Sequence, residues 1–297
     1  MVRVVTFAVL VLLLSVVGKV GAQPLKIGIL PVVDTLPLHV AVNEGLFAGQ
    51  GLDVELVPFA SAMERDMAIQ AGKLDGFFGD MIITLLLLQS GVDMRISTVS
   101  YKTRPGQRMF SLLAAPGKDV QGDMVVGISR SSIIEYLLER MLVNTALPQA
   151  NFTPMEVKKI PIRMQMLLSG QIGSALLPEP LVSLAESKGA KVLATDEDLD
   201  LVLTVVCLHG AKLKFQKPFT AAYAAAVERI NADPERYRPL MTETSRIPGE
   251  VAASFPVYRY PSPALPSRED VRQLQDWMQA KGMLQEHLAY ERVVAGP

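Results

Sequence analysis

The sequence predicts an α/β protein built from two mainly parallel sheets, each flanked by helices. Short apolar strand patterns alternate with helical spacings along most of the chain, as in strands joined by crossover helices. The alternation restarts with a new strand near Asp119, and no low-complexity linker separates the two halves. The length of 297 residues and the hydrophobic content of 49% suit two closely connected units with packed cores.

Apolar alternation predicts the strands of the first half, and the segments between them have the 3.6-residue spacing of helices. The first helix stops at Gly45. The second begins with the capping-box spacing of Ser61 and Glu64 and ends at Gly72, and a buried helix covers residues 81–90. The predicted strands of this half are residues 25–30, 51–59, 74–80, 95–100 and 110–115.

The second half repeats this order of elements. Ser131 or Ser132 caps its first helix, and Ser132 and Glu135 again have the capping-box spacing. Further helices cover residues 163–171 and 181–189, and the tail from Phe219 is mostly helical with proline-rich breaks. The predicted strands of this half are residues 123–129, 157–162, 172–178, 191–195 and 201–210.

The N-terminus has the pattern of a secretory signal peptide over residues 1–22. Arg3 precedes a short apolar run, Val4–Val17, and small residues end the segment at Ala22. The run is shorter than the roughly 20 residues that span a bilayer. We therefore expect a periplasmic protein without a lipid anchor, and the alternative is an uncleaved N-terminal anchor.

Composition argues against several classes of protein. The formal net charge is −1 and no basic stripe is present, so a nucleic-acid partner is not expected. The one cysteine, Cys207, lies in an apolar strand and reads as a core residue, so no disulfide is predicted. The three histidines are far apart, and no glycine-rich phosphate loop follows the first strand. Neither a metal nor a cofactor is therefore expected.

Polar residues stand where the predicted strands end, and ligands of open parallel sheets bind off the carboxyl ends of strands. We take these positions as candidate ligand-binding residues. They are Asp34, Thr35, Ser61, Asp80, Ser129, Arg130, Ser131, Ser132 and Glu179.

The chemistry of these positions leaves alternatives open. The serines from Ser129 to Ser132, at a helix start, suit a carboxylate, sulfonate or phosphate, with Arg130 adding a charged contact. Alternatively, one serine only caps the helix and Arg130 is solvated. Asp34, Asp80 and Glu179 would bind donor groups, cap helices, or act as a general acid and base.

Five segments in order resemble solute-binding proteins of ABC importers, in the nitrate/sulfonate/taurine class that includes binders of a thiamine-pyrimidine precursor. They are VAVNEGLFAGQGLDVELV, QAGKLDGFFGD, GISRSSIIEYLLERML, LLSGQIGSALLPEPL and DVRQLQDWMQAKGML. The resemblance implies a two-lobed type II periplasmic-binding fold with two crossover strands, near Leu112–Pro116 and Leu203–Gly210. Lobe 1 would comprise residues 24–113 and 208–297, and lobe 2 residues 114–207.

The resemblance also implies a function. A monomer would capture a small polar organic solute between its lobes by hinge closure, without chemical turnover. It would deliver the solute to a membrane permease that works with a cytoplasmic ATPase. The alternatives are a small-metabolite enzyme on the same fold and a ligand-sensing partner of a membrane receptor. The three carboxylates Asp34, Asp80 and Glu179 put a simple inorganic or sulfonate anion in doubt as the ligand.

Overall fold

A computed structural model describes residues 23–144 and 150–296, and it confirms an α/β architecture with two five-stranded sheets. The predicted signal peptide, residues 1–22, lies outside the described residues. The strands are Leu25–Ile29 (β1), Val54–Pro58 (β2), Gly76–Gly79 (β3), Met94–Lys102 (β4), Phe110–Ala114 (β5), Gly122–Ile128 (β6), Ala150–Glu156 (β7), Ser174–Pro178 (β8), Lys191–Thr195 (β9) and Val202–His209 (β10).

Helices follow most strands, as the alternating pattern predicts. Gly45 has the left-handed backbone (φ 67°) expected of a residue that ends a helix. The α-helices are Leu36–Asn43 (α1), Leu46–Gly49 (α2), Ala62–Gln70 (α3), Met81–Gln89 (α4), Ile133–Asn144 (α5), Ile160–Leu168 (α6), Leu181–Ser187 (α7), Gln216–Ala232 (α8), Arg238–Thr244 (α9), Gly249–Ala252 (α10), Arg268–Ala280 (α11) and Tyr290–Val293 (α12).

The two sheets share one topology. The first has the strand order β2-β1-β3-β10-β4, in which β1 is parallel to β2 and β3 and β10 is antiparallel to its neighbours. The second has the order β7-β6-β8-β5-β9, in which β6 is parallel to β7 and β8 and β5 is antiparallel to its neighbours. We call the first sheet with its helices the first unit, and the second sheet with α5–α7 the second unit.

The chain changes sheets at two connections, which differ from the predicted crossovers. Strand β5 already belongs to the second sheet and β10 to the first, so the connections are residues 103–109 and 196–201. The predicted crossovers at Leu112–Pro116 and Leu203–Gly210 overlap these strands. The strands are buried and apolar on both sides of each connection, so hydrophobicity alone does not mark the change of sheet.

One predicted strand, residues 157–162, is wrong. The strand is β7, Ala150–Glu156, whose alternate exposure fits a sheet edge. Helix α6 begins at Ile160 with Pro161 in its first turn, where a missing N–H costs nothing because that amide would have no helical partner. Alternating apolar residues around Pro161 therefore mark a helix start.

The hydrophobic core is continuous between the units on one side. Buried apolar residues of α5 and β6 belong to the same core as those of the first unit, whereas the residues of α6 and α7 belong to a separate smaller cluster. The C-terminal helices reach both sides of the second unit, since α11 meets α5 and α10 meets α7. No helix within the described residues is long and apolar enough to cross a membrane.

Candidate functional site

Asp34 and Thr35 lie in a short 3-10 turn directly after β1. Asp34 is buried, and its carboxylate accepts a 2.6 Å hydrogen bond from Oγ1 of Thr204 on β10. Burial raises the pKa of Asp34 to about 6, although the bond from Thr204 acts in the opposite direction. Thr35 Oγ1 donates to the carbonyl of Val32 at 2.7 Å. Asp34 is therefore a carboxyl group whose charge changes close to neutral pH.

Tyrosines from the C-terminal part of the chain brace this turn. The hydroxyl of Tyr260 donates to the carbonyl of Val33 at 2.6 Å. The hydroxyl of Tyr223 lies 3.0 Å from Oγ of Ser100, which donates to the carbonyl of Asp34 at 2.8 Å. Sequence analysis missed these tyrosines, because more than a hundred residues separate them from the turn they hold and no local pattern marks such a contact.

Ser61 and Asp80 act as helix caps, which was the alternative considered for Asp80. Oγ of Ser61 accepts from the amide of Glu64 at 3.3 Å, so the predicted cap at Ser61 forms. Oδ1 of Asp80 accepts from the amide of Ile83 at 3.0 Å. Burial raises the pKa of Asp80. Both side chains thus stabilise the starts of α3 and α4 at the carboxyl edge of the first sheet.

Side chains satisfy two backbone amides at the joint between the β6 loop and α5. The amide of Ser131 donates to Oε2 of Glu135 at 2.7 Å, and the amide of Ile134 donates to Oγ of Ser132 at 3.2 Å. Ser131 has a left-handed backbone (φ 53°), which is uncommon for a residue other than glycine. Such outliers concentrate at functional sites, so the conformation of Ser131 is consistent with a binding role for this loop.

A buried arginine that sequence analysis did not select lies beneath this loop. Arg163 on α6 donates to the carbonyls of Val157 and Leu176 at 2.8 and 2.9 Å, and to the hydroxyl of Ser129. Burial lowers the pKa of Arg163 to about 10, so its guanidinium stays protonated at neutral pH. The sequence signal was a lone arginine in the apolar helix IPIRMQMLL.

Arg130 points to a different part of the second unit. It is exposed, and its guanidinium donates to the carbonyl of Pro154 on the edge strand β7 at 3.2 Å. The guanidinium that contacts a loop hydroxyl directly is that of Arg163, which donates to Ser129, whereas the carboxylate of Glu135 accepts from the amide of Ser131.

Glu179 is buried and has internal partners. Its carboxylate accepts from Nε of Arg108 at 2.8 Å and from the amide and hydroxyl of Ser183 at 3.0 and 3.1 Å. Arg108 also pairs with Glu186. Because Arg108 lies in a connection between the units and Glu179 follows β8, the pair fixes that connection to the second unit.

Asp196 joins the two connections. Its carboxylate accepts from the amide of Met109 at 2.9 Å, and its own amide donates to the carbonyl of Phe110 at 3.2 Å. Its second oxygen, Oδ2, is buried and has no hydrogen-bond partner among the described residues. Burial raises the pKa of Asp196 to about 7. This residue was not selected from the sequence, since it lies in an acidic run, Asp196–Asp200, that resembles an exposed turn.

The nine predicted residues divide into two sets, one at each sheet. Asp34, Thr35, Ser61 and Asp80 are at the carboxyl ends of strands of the first sheet, and Ser129–Ser132 and Glu179 are at those of the second. Within residues 23–144 and 150–296, no hydrogen bond links one set to the other. Each set is therefore organised within its own unit.

The described cavities lie elsewhere. A groove of 520 Å³ runs between α3 and the edge of the first sheet, and Phe59, Met67 and Leu74 line it. None of the nine predicted residues lines it, and its wall is largely apolar. Among the described residues, no group of three or more His, Cys, Asp or Glu side chains is arranged to hold a metal ion.

The chain matches one protein-family model and is similar to several solved structures. The profile of the NMT1-like family matches residues 18–238. No curated protein matches the chain in a sequence search. Among solved structures, a zinc-bound ligand-binding component of an ABC-type import system from Staphylococcus aureus is 19% identical, with a TM-score of 0.74 and coverage of 92% of this chain and 96% of that one.

Two sulfonate-binding proteins are also similar in structure. The periplasmic aliphatic sulphonate binding protein SsuA from Escherichia coli is 17% identical, with a TM-score of 0.75 and coverage of 93% of both chains. The alkanesulfonate-binding protein SsuA from Xanthomonas axonopodis pv. citri, bound to MOPS, is 18% identical, with a TM-score of 0.72 and coverage of 92% of this chain and 96% of that one. These similarities confirm the two-lobed periplasmic-binding fold.

Proposed function

Because the chain belongs to the NMT1-like family, we propose that it is the substrate-binding component of an ABC importer. One observation carries the proposal. Two units of equal topology, joined by two connections, place polar residues at the carboxyl ends of their parallel strands. Solved structures that share this fold over more than 90% of both chains include import components and sulfonate-binding proteins.

The proposed binding mode is closure of the two units on a solute. The units would rotate about residues 103–109 and 196–201, and the solute would stabilise the closed state by contacting both units. The lobes would then be residues 24–102 with 202–296, and residues 110–195. The signal-like segment 1–22 supports export to the periplasm, where a membrane permease and its ATPase would receive the solute.

The two sets of residues differ in charge and therefore suit a solute whose two ends carry different chemical groups. On the second unit, the hydroxyl of Ser129 accepts a hydrogen bond from the cationic Arg163, and Arg108 pairs with Glu179. On the first unit, Asp34 and Asp80 are acidic. We therefore propose a small organic acid, a sulfonate or carboxylate, that carries an amine or hydroxyl group at its other end. The sequence put sulfonates in doubt because three carboxylates were expected in the site. One of them, Glu179, is paired with Arg108 within the protein, so we include sulfonates in the proposed class.

Native mass spectrometry of the exported protein tests the proposal. We expect a co-purified small molecule that is released unchanged on denaturation and that rebinds the emptied protein in calorimetry with a 1:1 ratio. Small-angle scattering should show a smaller radius of gyration with the solute than without it. A molecule that is chemically converted during incubation would contradict a binding protein and favour an enzyme.

A further inference from the structure

One side chain links three strands of the second unit. Arg163 contacts the carbonyl of Val157 just after β7, the carbonyl of Leu176 in β8, and the hydroxyl of Ser129 just after β6. The side chain of Arg163 is fully buried. The neighbouring carboxyl ends of the parallel strands in this unit are therefore fixed relative to one another by a single planar group with several donors.

The direction of the bond to Ser129 has a chemical consequence. A guanidinium only donates, so Oγ of Ser129 is the acceptor. The hydroxyl hydrogen of Ser129 is then free to point away from Arg163, and no described residue accepts it. Because Ser129 is half-buried at a strand end, this hydrogen is available to an acceptor that arrives from solvent.

We infer that Arg163 is a positioning residue for ligand capture, which acts by holding the hydroxyl of Ser129 as a donor toward an acidic oxygen of the solute. The inference rests on the proposed function. Arg163 itself does not reach the solute; the hydroxyl of Ser129 does.

The charge of Arg163 supports the same chemistry. Within the described part of the chain, no carboxylate lies within ion-pair distance of Arg163, and its hydrogen-bond acceptors are all neutral. The nearby carboxylate of Glu156 acts on Arg163 only through space, where it raises the pKa of the guanidinium against the effect of burial. A buried cation with no carboxylate in direct contact favours the approach of an anion. The solute's acidic group would supply that counter-charge from above Ser129.

The first unit contains an arginine in an equivalent position, but this arginine is paired with a carboxylate. Arg65 on α3 packs on Gly28 and donates to the carbonyl of Phe78 at 2.6 Å, as Arg163 packs on Gly127 and donates to the carbonyl of Leu176. A Cβ atom would lie 3.2 Å from Cγ of Arg65 at Gly28 and 3.0 Å from Cγ of Arg163 at Gly127. Arg65, however, pairs with Asp66 at 2.6 Å. Arg65 is therefore a matched control that shares the packing but has a carboxylate in direct contact.

Calorimetry with MOPS and with taurine, in a phosphate buffer, compares the wild type with Arg163→Lys, Ser129→Ala, their double variant and Arg65→Lys. We expect Arg163→Lys and Ser129→Ala each to weaken binding about tenfold, as for loss of a charge-assisted hydrogen bond. The double variant should be no weaker than the weaker single variant, since both act through one bond. Arg65→Lys should bind within about twofold of the wild type.

Two results of the binding experiment would overturn the inference: Arg163→Lys binding no worse than Arg65→Lys, or losses that multiply in the double variant. If Arg163→Lys does not fold, Ser129→Thr replaces it, and this variant must retain binding while Ser129→Ala loses it. Crystal structures decide the positioning role without any solute. Oγ of Ser129 should move in Arg163→Lys and stay in place in Arg65→Lys, and an unmoved hydroxyl would refute the role. Failure of the wild type to bind either probe contradicts the proposed solute class instead.

Discussion

The indole N–H of Trp277 on α11 donates to Oε2 of Glu139 on α5 across 2.7 Å, from the first unit to the second. The ring of Tyr136 meets the indole edge-on at a centroid distance of 5.1 Å, and Lys281 pairs with Glu139. The chain has a single tryptophan. Its only indole therefore reports on a contact between the two units.

Replacing Glu139 with alanine should release Trp277 from this contact. We expect a red shift of the tryptophan emission and a loss of about 1 kcal/mol in the free energy of unfolding, the usual size for one hydrogen bond. Fluorescence spectra and urea unfolding measure both effects. Arg272→Ala is the control, because Arg272 lies on the same helix and its ion-pair partners among the described residues, Glu269 and Asp276, belong to that helix too. An unchanged emission in Glu139→Ala would show that the contact does not form in solution.

The pKa of Asp196 predicts a pH-dependent stability. Burial raises this pKa from 3.8 to about 7, so the folded state retains a proton that the unfolded state releases. The contribution of Asp196 is therefore complete below about pH 4 and is lost as the pH rises through 7. We expect Asp196→Asn to be more stable relative to the wild type at pH 8 than at pH 4.5, by about 3 kcal/mol.

Differential scanning calorimetry at the two pH values measures this difference. Asp34, whose pKa also rises, and His39, whose pKa falls to about 4, are present in both proteins and cancel in the comparison. Asp198→Asn, an exposed carboxylate two residues along, is the control and should show the same difference from the wild type at both pH values. Equal behaviour of the two variants would contradict a buried proton on Asp196.

The pair of Arg108 and Glu179 predicts a large effect of removing one partner. Arg108→Met would leave the carboxylate of Glu179 buried without its cation, and we expect a loss of about 2–4 kcal/mol. The lower end of that range allows for the partial exposure of Arg108. The double variant Arg108→Met with Glu179→Gln should recover most of the loss, because it removes the charge as well.

Chemical denaturation measures the stability of these variants. Lys188→Met is the matched control, since Lys188 pairs with Glu250 at 3.0 Å on the surface and should cost less than 1 kcal/mol. If Arg108→Met costs no more than Lys188→Met, Glu179 is not buried with its charge, and its place in the site must be revised.

Cys207 should be unreactive in the folded protein. It is fully buried in β10, lies 3.3 Å from the hydroxyl of Thr84, and burial raises its pKa to about 12. We expect no reaction with a thiol-specific disulfide reagent at pH 8, and stoichiometric labelling in 6 M guanidinium chloride. Rapid labelling of the native protein would show that the centre of the first sheet opens readily.

Local patterns predict most of the secondary structure, and their failures have physical reasons. Strand β7 was missed because it is an edge strand containing Pro154, and edge strands tolerate both proline and polar residues. The first connection was placed too late, although Pro105-Gly106 is a turn signal and Gly106 has a positive φ of 76°.

The candidate site is predicted less completely than the fold. The strand-end rule selects Asp34, Ser129 and Glu179, because strand ends can be read from the sequence. The partners that set their chemistry come from other elements: Thr204 for Asp34, and Arg163 for Ser129. Only the folded chain brings these groups together, so their influence on charge and hydrogen bonding is visible only in three dimensions.

The strand order also dictates which half of the molecule is completed first as the polypeptide emerges. All strands of the second sheet lie in one continuous stretch, residues 110–195, whereas the first sheet needs β10 between β3 and β4. During synthesis or passage through a translocation channel, the second sheet is therefore complete before the first, although its strands begin later in the sequence. The first sheet stays incomplete until β10, which ends at residue 209, is available to pair with β3 and β4. During that interval its strand edges are exposed, and a chaperone that binds unfolded chains would be of most use.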